Sequence, residues 1–161
     1  MSLTIVEQIA QVIYDRLTQL LQFGNENTEV SEVIRPRTIG TYTPKDLQVV
    51  LTQGETTENP ELACPGNPPA TCFVTTFNIR CHVMPDETSN TPKATHINEM
   101  AADVRKAICD PQNTWHNFDG LAIDATFETT ETINSEAFDG VNIPLLVSYR
   151  TDENNPYNLR A

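Results

Sequence analysis

The chain has 161 residues and a formal charge of −12, from 22 acidic and 10 basic side chains. That length suits one domain around one core. With an apolar share of 39%, these numbers exclude a membrane span, a collagen and a small disulfide scaffold, and they argue against a nucleic-acid grip, which needs clustered Lys and Arg.

The N-terminal segment is the most regular. Leu3, Val6, Ile9, Ile13, Leu17, Leu20 and Leu21 recur every three or four residues. This predicts an amphipathic helix of about six turns. Gly24 after Phe23 predicts its end. The polar face carries Glu7, Gln8, Gln11, Asp15 and Arg16, without the basic face of a membrane-surface helix. The stripe is therefore read as core. The same polar residues interrupt the apolar run that an export signal needs, so a reducing cytoplasm is expected. Cys64, Cys72, Cys81 and Cys109 are then expected as free thiols, although Cys64 and Cys72 bracket a loop that a bridge could close.

Glu29 to Arg37 reads as a short strand, with Pro36 marking an edge or an end. Leu47 to Thr52 reads as a second strand. Gln53 to Ala70 follows with two glycines and four prolines, and is expected to be a long ordered loop or arm. Cys72 to Met84 is the longest strand. Its alternation places Phe73, Thr75, Phe77, Ile79, Cys81 and Val83 on a core face, and Asn78, Arg80 and His82 on a solvated one. Pro85 to Lys93 reads as a second polar loop. Thr95 to Cys109 reads as a second helix, stopped by Asp110-Pro111.

Leu121 to Glu128 and Val141 to Arg150 alternate as two closing strands, joined by a polar connector from Thr130 to Asp139. Pro144 suggests that the last strand is an edge or carries a bulge. Thr151 to Ala161 lacks periodicity. These elements predict an α+β fold, a mainly antiparallel β-sheet with two α-helices packed on one face. The expected layout is a single domain over residues 1–150 and an extended C-terminal tail over 151–161. That tail is expected to order only on a neighbour, with Tyr157 and Leu159 as anchors.

Chemistry-bearing patterns are sparse. Cys81 and His82 are adjacent on a strand and point to opposite faces, so they do not share a metal. No Cys pair or His motif has zinc spacing. Cys109 and His116 could form a thiol–imidazole pair, but a helix C-terminus disfavours a thiolate. Neither a catalytic site nor a metal or organic cofactor is expected. Arg35, Arg37 and Lys45 form a local basic cluster, readable as surface charge balance or as a salt-bridge patch between subunits. From Gln112 to the end there are eight acidic and two basic residues, a concentration of negative charge.

The order of elements, the stretch Thr43-Pro44-Lys45-Asp46-Leu47 leading into LQVVLT, the strand FNIRCHVMP and the ending VSYRTDENNPY resemble small tail-completion proteins of tailed bacteriophages. That family includes the tail terminator and head–tail joining proteins. The resemblance implies a non-enzymatic virion protein, assembled in the host cytoplasm and located at the head–tail junction. It implies a homo-oligomeric ring, generally a hexamer, that caps the tail tube protein and meets a neck or connector protein. DNA would pass through without specific binding, past a lumen whose acidic charge prevents adhesion. No membrane partner is implied. Interface contacts are expected from Arg35, Arg37 and Lys45, from Pro65 and Pro68 in the Pro-rich loop, and from Tyr157 and Leu159 in the tail. Alternatives are another neck role, stopper or adaptor, a binding module of an adhesion device, and a small hydrolase using carboxylates or Cys109 and His116.

Overall fold

A computed structural model describes residues 2–22, 30–36, 42–84, 93–109, 115–134 and 138–160. Helix α1 spans Ile5–Gln22. Thr4 Oγ1 accepts the Glu7 backbone N–H at 3.3 Å and caps its first turn. Ile9, Ile13, Leu17 and Leu20 of the stripe are buried, Val6 is half-buried, and Ile5 beside the stripe is buried. Leu3 and Leu21 share the spacing but are exposed. Leu3 precedes the helix, and Leu21 lies about 100° around the axis from Leu20. Gly24 lies outside the described residues.

Strand β1 is only Glu32–Ile34, and β2 runs Gln48–Glu58. The two are parallel, an exception in a sheet that is otherwise antiparallel. The expected loop from Gln53 to Ala70 is corrected. Gln53–Glu58 continue β2, a 3-10 turn occupies Pro60–Leu62, and Cys64 bridges to Ala70. The sequence signal that misled was Gly54, which here serves a β-bulge. Pairing is Gln53 with Phe77, then Thr56 with Thr75, so β2 holds one extra residue.

Strand β3 is Ala70–Val83 and helix α2 is Lys93–Cys109. The loop expected before Lys93 lies outside the described residues over 85–92, and Lys93 itself opens the helix. Strands β4 (Asp124–Phe127) and β5 (Glu131–Asn134) follow. The connector expected from Thr130 to Asp139 thus contains a strand. Strand β6 is Asp139–Asp152 and β7 is Asn155–Leu159. The tail is corrected too: it folds back on its own chain, with Thr151 paired to Leu159 and Asp152 to Asn155.

The described strands form one seven-stranded sheet in the order β1-β2-β3-β6-β4, with β5 and β7 also on β6. Strand β6 is central, which contradicts the edge position that Pro144 suggested. The backbone explains it. Pro144 O accepts the Glu128 N–H at 2.9 Å, so its ring nitrogen faces that same side. There β4 ends and β5 has not begun, and the ladder needs no donor. Towards β3, Pro144 stands opposite Asn78 without having to supply an N–H.

Val49, Leu51, Phe77, Ile79, Cys81, Ile143, Leu145 and Val147 share one core with α1 and α2. Both helices therefore lie on one face of the sheet. Lys93 Nζ bonds Asp139 at 2.8 Å and ties the start of α2 to the start of β6. Arg16 donates to Ile108 O and Trp115 O, both at 3.0 Å, and ties α1 to the end of α2. A Cβ at Gly140 would collide with the Cys81 carbonyl oxygen, because β6 presses on β3 there. Gly140→Ala is expected to cost about 3 kcal/mol through that overlap. Urea unfolding measures it, and an unchanged midpoint would refute the close approach.

Candidate functional site

The residues expected at an interface fall into two groups. At the first, Arg35 makes a two-pronged contact with Glu7, at 2.6 and 2.9 Å. That hydrogen bonding holds the Glu7 carboxyl below its ordinary range. Lys45 Nζ lies 3.6 Å from Glu32. Arg37 lies outside the described residues. Arg35 thus fastens the edge beyond β1 to the first turn of α1, within one subunit.

The second group comes together at the far end of the sheet. The β2–β3 connection, Asn59–Pro69, forms an arm that the chain's C-terminal part clamps. Arg150 Nε donates to Leu62 O at 2.8 Å. The Glu153 N–H donates to Pro69 O at 2.9 Å. Arg160 Nη1 donates to Pro68 O at 3.3 Å and to Asp152 Oδ1 at 2.9 Å. Hydrogen bonds from Asn158 and Arg160 hold the Asp152 carboxyl below its usual range. Pro65, Pro68, Tyr157 and Leu159 all belong to this arm–tail unit. Leu62, which the sequence reading did not single out, joins them. Leu62, Tyr157 and Leu159 are three of the five large apolar residues exposed among those described. All three belong to the arm or the tail, and exposed apolar side chains of this kind are candidates for a contact surface.

The charge around this end is acidic. Glu55, Glu58 and Glu61 have no cationic partner among the described residues. Two cations, Arg150 and Arg160, sit at this end and are held by Leu62 O, Pro68 O and Asp152, and most of the other described cations are engaged elsewhere in the chain. Besides those named above, Arg16 lies 3.5 Å from Asp119, and Arg105 donates to Thr130 and stacks 5.0 Å from the Phe127 ring centre. Lys106 also has a partner. Arg80 is exposed, on the sheet face opposite the helices.

That opposite face holds a correction. His82, expected in solvent, is wholly buried. Tyr42 stacks on it at 5.8 Å and Phe138 packs edge-on at 4.5 Å. Alternation placed it on the correct face but could not show that Tyr42 and Phe138 cover that face. Gln48 Nε2 donates to Glu32 and to Thr43 O, so Gln48 Oε1 is an acceptor towards His82 Nδ1 at 3.0 Å. The network assigns the proton to Nδ1 and leaves a bare lone pair on Nε2, which has no partner among the described residues. Burial, with Arg80 adding to it, pushes the imidazole pKa down to about 4.

The remaining chemical candidates are Cys81, Cys109 and His116. Cys81 is buried in the core, and burial pushes its thiol up to about 12. Burial also raises the Cys109 thiol, outweighing Arg16 and Arg105. A thiolate there is disfavoured at neutral pH. His116 sits in a 3-10 turn, Trp115–Asn117. Among the described residues no cluster of three metal-ligating side chains occurs, and no helix is long and apolar enough to cross a membrane. A scan against family models and a search of curated proteins each found no match.

Two outcomes follow from this geometry. The unfolded chain protonates its His82 near pH 6.5, while the folded chain resists until about 4. Stability is therefore full above the higher value and falls as pH drops between the two. His82→Phe keeps the aromatic packing and leaves Gln48 Oε1 with the Lys45 N–H. Its stability should lose the slope that wild type shows above pH 5, where carboxylates contribute least. Equal slopes by urea titration would refute the assignment. Truncation after Asp152 removes Glu153 and Arg160 from the arm. Limited proteolysis should then cut within Asn59–Pro69 at a rate well above that of the full chain. An unchanged cutting pattern would show that the tail does not hold the arm.

Proposed function

We propose that this chain is a structural virion protein of a tailed bacteriophage, a tail terminator at the head–tail junction. Copies assemble as a ring, a hexamer by analogy with the family it resembles. The ring caps the tail tube, meets the neck and lets DNA pass. It performs no catalysis and needs no cofactor. One observation carries this reading: the arm–tail unit. Its residues are ordered by clamps from their own chain, yet the exposed Leu62, Tyr157 and Leu159 add little to the core. A domain that keeps so much ordered structure outside its core uses it for contacts. The charge of −12 supports the passage of DNA, which an acidic wall does not bind.

The same charge governs assembly. With Arg35 held by Glu7 and Lys45 near Glu32, the contacts between copies do not rest on those cations. Association of like-charged copies is opposed by repulsion, which salt screens. Between about 0.1 M and about 1 M salt the screening length falls from about 10 Å to about 3 Å. Light scattering should show the ring fraction rising over that range. Tails assembled with the protein should end bluntly at uniform length by electron microscopy. A strict monomer at every salt concentration, with no change in tail ends, would overturn the reading.

A further inference from the structure

We propose that the outer edge of β2, from Leu51 to Glu58, receives an extended strand from a different protein, one rich in Lys or Arg. Strand β1 covers only Gln48–Val50. Beyond it no described strand lies on that side of β2. Gln53–Glu58 are exposed along their whole length. On such an edge alternate residues present N–H and C=O groups without a strand partner, a template for backbone pairing.

Edges of this kind are usually guarded by charge or a bulge. Here the guard is the bulge near Gly54 together with Glu55 and Glu58. Those carboxylates repel an acidic strand and attract a basic one, so the guard selects by charge. A second copy is a poor occupant. The outer strands β4 and β5 carry Asp124 and Glu131, which would oppose Glu55 and Glu58. Strand β7 is uncharged but contains Pro156, which lacks an N–H for the ladder. The described cations already bond within the chain, apart from the exposed Arg80 on a face rather than an edge. A basic strand from elsewhere supplies the missing charge. The proposal stands whether or not the protein caps a tail tube.

The test uses the full chain and two synthetic peptides the length of Leu51–Glu58, one alternating Thr and Lys, the other Thr and Glu. Amide hydrogen exchange is read residue by residue. The basic peptide should slow exchange at alternate amides of Leu51–Glu58 by roughly tenfold or more, and the acidic one should not. The double variant E55K/E58K, altered only at exposed positions, should reverse that preference. Failure of the basic peptide to bind would overturn the proposal. So would binding without protection of these amides, which is attraction to the acidic surface alone. Protection by the acidic peptide, or by raising the concentration of the chain itself, would overturn it equally.

Discussion

The ladder between β3 and β6 is the constraint on which the other elements depend. It runs without a break from Ala70 opposite Asp152 to Val83 opposite Asp139. On one side of this pair β2 adds its own long strand. On the other, β7, β4 and β5 take successive stretches of the free edge of β6. The alternation along the pair also decides the layers. Phe77, Ile79 and Cys81 meet Leu145, Ile143 and Val141 on one face, and that apolar face is what α1 and α2 cover. Gly140 lets the two strands approach at the Cys81 carbonyl, and Pro144 falls where a missing donor costs nothing. Two residues that ordinarily weaken a strand are thus placed where their weakness is irrelevant or useful.

Charge is distributed by the same economy. A chain with 10 basic and 22 acidic side chains has few cations to place. Arg16, Arg35, Lys93 and Arg160 each join elements distant in sequence. Such partly exposed pairs contribute modestly to stability, on the order of 1 kcal/mol or less each. Their larger effect is to leave the acidic excess at the surface, including the arm. Any contact of that surface with another copy works against repulsion. Any contact with a basic partner gains from it.

The periodic parts of the fold were legible in the sequence. The α1 stripe, the alternation of β3 and the stripe of α2 correspond to buried residues, because local period and burial coincide there. Pattern failed where a residue's meaning depends on strands distant in sequence. Gly54 and Pro144 read as breakers, yet one sits in a bulge and the other opposite a gap in the neighbouring strand. His82 read as solvated because Tyr42 and Phe138, far away in sequence, cover it. Arg35 read as available charge because nothing in its neighbourhood announces Glu7. The arm and tail were each noticed, but their union through Arg150, Glu153 and Arg160 has no local signature.

That union explains how a segment with almost no core can be ordered. Ordering a residue's backbone costs roughly 1–2 kcal/mol, which the few apolar contacts of Asn59–Pro69 do not offset. Part of the offset comes from backbone carbonyls. Leu62, Pro68 and Pro69 have oxygens that accept from Arg150, Arg160 and the Glu153 amide, and the prolines restrict the chain beforehand. Hydrogen bonds from charged donors are the stronger kind. The arm is therefore held largely by its backbone, which leaves the Leu62 side chain out of the clamp. Leu62 keeps its carbonyl in the clamp and its side chain in solvent. The physical consequence is a surface whose order does not depend on a partner, so that any binding there would not have to supply the free energy of ordering it.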